Sequence, residues 1–244
     1  MFRWIHISLI VNFLFSYGNK STIKFTFINL NILIMVRLTI KLLFSFFGGI
    51  AQTTIVPIFQ TTNYGDNVYF KDVDNNFTPY VGTWKYINGT DTLTIILQKK
   101  EMVYSPVGTR EEYLDYLIGE YKYVKNGVEK VNTLSALSSN YPNALDYNLV
   151  SDGIVVNAVH PQCNNCFSTQ RRISMSFNEP SRREIAGLSA GLMLRRITES
   201  DGVQKIIAIL YTRSVSFGFT YDGTPSTIDS YSVPIGEYVL TKIN

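Results

Sequence analysis

A two-residue hydrophobic period recurs along this chain, stops at turn residues and starts again. In Thr92-Leu93-Thr94-Ile95-Ile96-Leu97, the residues Leu93, Ile95 and Leu97 fall on one face, as in a half-buried strand. Ile173-Ser174-Met175-Ser176-Phe177 alternates in the same way, and Glu237-Tyr238-Val239-Leu240-Thr241 repeats the pattern near the end. Ile154-Val155-Val156 reads as a short buried strand. Tyr113 to Val124 is rich in aromatic and branched residues and is followed by Asn126-Gly127 and then Val128 to Val131, a hairpin around an Asn-Gly turn. Leu192 to Ile197 and Lys205 to Thr212 flank Asp201-Gly202 as a second hairpin. The one helix candidate, Asp72 to Tyr80, is broken by Pro79. Many short strands at close spacing predict an all-β fold of about 8–10 strands. It is read as a single antiparallel barrel, with a β-sandwich as the alternative.

Charge separates a leader from this domain. Asp and Glu begin only at Asp66, whereas Arg3, Lys20, Lys24, Arg37 and Lys41 precede Gln52. The chain as a whole carries +3, but residues 52–244 carry −2, which excludes a basic nucleic-acid binder. Met35 opens a basic segment with Arg37 and Lys41, the apolar run Leu42 to Phe47 follows, and Gly49-Ile50-Ala51 offers small residues before Gln52. Residues 35–51 therefore read as a signal peptide cleaved after Ala51. Residues 1–34 are dominated by residue types with A/T-rich codons and read as an upstream segment translated in frame. The rival reading, a membrane span within Trp4–Phe15, is shorter than the roughly 20 residues a span needs. Residues 52–63 read as an extended arm and residues 64–244 as one barrel-like domain, with no stable membrane span in the mature form.

One local motif bears on the kind of barrel. Val81-Gly82-Thr83-Trp84 puts Gly-x-Trp at the start of the first long strand, after a turn-like segment. This resembles the opening of lipocalin-like (calycin) barrels, where the Trp covers the closed end and Gly lets the backbone tuck beneath it. The plain alternative is a half-buried Trp on a sandwich strand. Over a longer stretch the chain resembles an uncharacterised family of secreted Bacteroidetes proteins, the domain of unknown function 6705. That likeness rests on Ala51 to Pro57, Lys71-Asp72-Val73-Asp74-Asn75, Val81 to Trp84, Leu93 to Lys100, Asn126 to Lys130, Cys163/Cys166 and Leu194-Arg195-Arg196-Ile197-Thr198. It implies an exported bacterial protein, supplies no activity, and does not reach residues 1–34.

The chemistry-bearing patterns are sparse. Gly187-Leu188-Ser189-Ala190-Gly191 matches a nucleophile elbow, but a strand-like run follows Ser189, and the domain's only histidine, His160, precedes it. Cys163-Asn164-Asn165-Cys166 with His160 gives three ligands where a structural zinc site needs four, so the pair reads as a small-loop disulfide. Asp72-Val73-Asp74-Asn75 lacks the Gly and distal Glu of a calcium loop. Arg171-Arg172, Arg182-Arg183 and Arg195-Arg196 each place neighbours on opposite strand faces, so one Arg of a pair is expected to point inward. No metal, cofactor or catalytic residue is assigned.

The expectation is thus a non-enzymatic binding module, periplasmic or extracellular. Its aromatic interior, with Trp84, Tyr86, Tyr104, Tyr121, Tyr123 and Phe177, would hold a small hydrophobic ligand. The alternative is a structural or interaction protein of the cell envelope with a side-chain-filled core. A cavity of several hundred cubic ångströms would favour the first, and a packed interior the second.

Overall fold

The computed structural model describes residue 39 and residues 53–59, 66–156, 159–163, 166–167, 169–198 and 202–243. The leader assignments, Thr39 apart, and Asp201 of the second hairpin lie outside the described residues. Thr53–Asn244 form one compact unit. Its strands are β1 (Thr54–Pro57), β2 (Val68–Lys71), β3 (Gly82–Asn88), β4 (Asp91–Tyr104), β5 (Glu112–Lys125), β6 (Val128–Asn132), β7 (Leu149–Val155), β8 (Arg172–Phe177), β9 (Ser189–Thr198), β10 (Gln204–Ser214) and β11 (Gly236–Ile243).

Eight of these close an antiparallel barrel: β3, β4, β5, β7, β8, β9, β10 and β11 pair in chain order, and β11 returns to β3. An eight-stranded up-and-down ring is consistent with a lipocalin-like barrel and excludes the open edges of a sandwich. β1 and β2 lie outside the ring. β1 pairs with β2, and β2 with β5, both in parallel. Parallel pairing is not legible from alternation, which reports one strand's faces and not its neighbour's direction.

The period-two residues fill the barrel. Leu93, Ile95 and Leu97 of β4 meet Tyr121 and Tyr123 of β5, Ile173 and Met175 of β8, Leu192 and Leu194 of β9, Ile206 and Leu210 of β10 and Leu240 of β11 in one buried cluster. The Asn126-Gly127 turn has φ of 51° and 74°, the left-handed pair that a tight hairpin between β5 and β6 requires. A smaller cluster, Tyr116, Ile118, Ala144, Tyr147 and Val150, packs on the outside of β5 and β7 beneath the 3₁₀ turns Leu134–Ser139 and Ala144–Asp146.

Trp84 lies in the barrel's buried cluster. It is 1% exposed, and its indole N–H donates to the Tyr80 carbonyl at 2.6 Å. Tyr80 ends a 3₁₀ turn, Thr78–Tyr80, so the expected helix over Asp72 to Tyr80 shrinks to one turn, with Pro79 tolerated at its start. The preceding residues are held by Asp72, whose carboxylate accepts from the backbone and side-chain nitrogens of Asn76 and from the Phe77 N–H. Gly82 has φ +127°, and a Cβ there would meet Lys242 Cε at 2.8 Å, so this position favours glycine.

Candidate functional site

β5 offers one backbone edge to three different neighbours, and this breaks the barrel wall. Its first residues, Glu112–Leu114, pair with β2, and its last, Lys122–Lys125, with β6. Only Ile118↔Val150 and Gly119↔Leu149 join it to β7. The seam ends where the β7 register shifts between Ser151 and Gly153. There the Ser151 hydroxyl accepts the Leu117 N–H at 2.9 Å, so a side chain caps the ladder where a strand would have continued it. A Ser-Asp-Gly run inside a strand favours such a bulge and bends the strand away.

The gap between the diverging strands is a cleft of about 620 Å³. Phe77 and Ile154, both members of the barrel core, line it from within. Phe70 of β2 and Leu114 and Tyr116 of β5 line it on one side, and Ile58 and Leu145 complete the apolar lining. Leu145 is 61% exposed and stands at the rim. This size and apolar character are those of small-molecule sites.

The cleft's two carboxylates are already neutralised. Asp115 is fully buried and accepts from the Tyr69 hydroxyl at 2.5 Å and from the Asp72 and Met102 N–H groups at 3.0 Å, with Lys99 Nζ at 3.7 Å. A buried carboxylate persists only when partners satisfy it in this way. Asp115 thereby ties β2, β5, the β4 bulge at Met102 and the Asp72 turn into one unit. Burial and the hydrogen bond to Asp115 hold the Tyr69 hydroxyl well above the ordinary phenol range, so it stays neutral. Asp152 pairs with Arg213 at 2.6 Å and accepts from the Ser176 hydroxyl at 3.1 Å. The cleft therefore presents apolar surface without unbalanced charge.

The aromatic residues expected to hold a ligand lie elsewhere. Tyr121 stacks on Phe177 with centroids 4.6 Å apart, and its hydroxyl donates to the Asn178 carbonyl. Tyr86 meets Tyr238 edge-on at 5.1 Å, and Tyr123 is buried in the same cluster as Trp84. These rings are brought together as barrel packing, and none lines the cleft. Tyr104 is half-exposed against Tyr113, because the register shift between Lys100 and Val103 turns that end of β4 out of the core.

The remaining sequence patterns resolve into structural roles. Cys163 and Cys166 are disulfide-bonded, with Cα atoms 5.4 Å apart. Ser189 begins β9 and lies 3.0 Å from the Ser214 hydroxyl, while the His160 ring stands edge-on to Tyr211. Asp74 pairs with Arg171, whose guanidinium covers the Phe59 ring at 4.3 Å. Arg172 is fully buried, but its neighbour Ile173 is the core residue, so the arginine points out of the barrel. It is covered by the loop whose Val156, Val159 and Pro161 carbonyls accept its protons. At Arg171-Arg172 the buried arginine is thus on the outer face, and Arg182-Arg183 lies at a 3₁₀ turn and not on a strand. Sequence alternation cannot show that a loop folds back over a strand.

No curated protein and no solved structure matches the chain. Residues 32–243 match the family of unknown function DUF6705, and the chain belongs to that family.

Proposed function

We propose that the protein is an exported, non-enzymatic binding module for a small apolar ligand held in the β5–β7 cleft. The observation that carries this reading is the cleft itself: about 620 Å³, lined mostly by apolar side chains, with both of its carboxylates paired within the protein. A neutral lining disfavours ions, and burial of an apolar ligand contributes roughly 25 cal/mol per Å². The Cys163–Cys166 disulfide and the leader sequence Met35–Ala51 support export to the periplasm or beyond the cell.

Titration with the neutral fluorophore N-phenyl-1-naphthylamine tests the reading. Saturable enhancement with the wild type, weakened by Leu145→Asp, is the expected result. Leu145 is exposed, so the substitution places a charge at the rim without opening the core. Absence of saturable binding, or equal binding by the variant, refutes the cleft as the ligand site.

A second reading, an interaction protein of the envelope, draws on the side-chain-filled barrel and on an exposed stripe. Phe217, Phe219 and Tyr221 alternate along one segment and are 66%, 43% and 71% exposed. Exposed apolar patches of this kind mark contact surfaces.

A further inference from the structure

The cleft has one wall unlike an ordinary apolar pocket: the backbone edge of a strand. β7 pairs with β8 along one side through Val155↔Arg172. On its other side the last pair is Ile118↔Val150. From Asp152 to Val155, no described strand pairs with that second edge, because β2 has taken the place on β5 that β7 vacates. In an antiparallel strand, alternate residues direct their N–H and C=O groups to opposite sides. About half of the peptide groups over Asp152–Val155 therefore face away from β8 and toward the cleft. Among the described residues, no backbone hydrogen bond crosses from them to β2 or β5. Exposed strand edges of this kind pair with added extended chain, and proteins ordinarily cover or charge them.

We infer that the ligand class of the cleft is an apolar peptide segment in extended conformation, added to β7 as an extra strand. Two independent features converge on it. The edge supplies donors and acceptors in register for main-chain pairing, and the facing side chains Phe70, Leu114 and Ile154 supply apolar surface for alternate side chains. A hydrocarbon fills the apolar surface but leaves the peptide groups of the edge without partners, whereas a peptide satisfies both. The carboxylates Asp115 and Asp152 are paired within the protein, so the peptide needs no charge of its own. The inference rests on the cleft being a binding site, and it names what that site takes.

The test uses the mature chain, N-phenyl-1-naphthylamine as reporter, and a blocked tetrapeptide, acetyl-Val-Thr-Val-Ile-amide. Its comparison compound carries N-methyl groups on alternate amides. The unmethylated peptide should displace the reporter at concentrations roughly tenfold lower than the methylated one, the ratio expected from losing one or two main-chain hydrogen bonds. Amide hydrogen exchange should slow within Asp152–Val155 on peptide addition, while Ile118 and Gly119, already paired, should not change. Equal displacement by the two compounds, or protection confined to other strands, overturns the inference. If the reporter binds and neither peptide displaces it, the inference falls and the apolar-ligand reading stands. If the reporter does not bind at all, the apolar-ligand reading fails on its own account.

Discussion

Replacing Trp84 by Ala removes the largest fully buried side chain of the barrel core. The indole is 1% exposed and packs with the core that joins β3, β4 and β11, so its loss opens a void bounded by neighbours fixed in the ring. Removing a buried Trp costs about 3–5 kcal/mol, and the upper half of that range applies where the surroundings cannot collapse. The substitution also strips the Tyr80 carbonyl of its 2.6 Å donor in a buried setting, which keeps the loss in that upper half. A loss of about 4–5 kcal/mol follows. With a urea m-value of about 2–3 kcal/mol/M, the midpoint should fall by about 1.5–2.5 M. The unfolding must be followed by far-UV circular dichroism, since the only other Trp, Trp4, lies in the leader. Trp84→Phe keeps most of the volume and should lose less than half as much. A change below about 1 kcal/mol for Trp84→Ala would show that the indole does not hold the barrel core together.

Three further outcomes follow from the packing. Gly119 stands at the narrow seam, where a Cβ would lie 2.6 Å from the Ile96 carbonyl oxygen, so Gly119→Ala should destabilise by about 1–3 kcal/mol in the same titration. Burial raises the Tyr80 hydroxyl from 10.0 to about 12, so folded and unfolded forms are both protonated below pH 10 and the unfolded chain ionises first above it. Stability should therefore fall between pH 10 and about 12, with a smaller fall in Tyr80→Phe; an identical decline in that variant would remove Tyr80 from the cause. Replacing Cys163 and Cys166 with Ser should cost no more than about 2 kcal/mol, because the loop they close is short. A larger loss by thermal unfolding would mean that the disulfide holds more than its own turn.

Much of the ring was legible because barrel strands announce their two faces. Leu93, Ile95 and Leu97, or Ile173, Met175 and Phe177, alternate without interruption and lie in the core as the period requires. The Asn126-Gly127 hairpin and the glycine at position 82 were readable because each needs a backbone conformation that few residues supply. The cleft was not legible, for three physical reasons. Asp115 looks like a solvated strand residue until Tyr69, Asp72 and Met102, distant in sequence, donate to it. Leu149 to Gly153 lacks alternation because of its bulge, so only the end of β7 was recognisable. β2 is four residues long, too short for a period to register. Ser151-Asp152-Gly153 was the one available hint, a run of turn-forming residues inside an otherwise strand-like stretch. Aromatic composition pointed instead to Tyr86, Tyr121, Tyr123 and Phe177, which lie packed in the barrel.

The most direct test of the cleft as a binding site is backbone amide chemical-shift mapping of the protein with N-phenyl-1-naphthylamine. Perturbations should concentrate at Phe70, Leu114–Tyr116 and Ser151–Ile154, on the two sides of the gap. The amides of β11, across the ring from the seam, should stay where they are. Perturbations centred instead on Tyr121, Phe177 and Tyr231 would place the ligand inside the barrel and contradict the account.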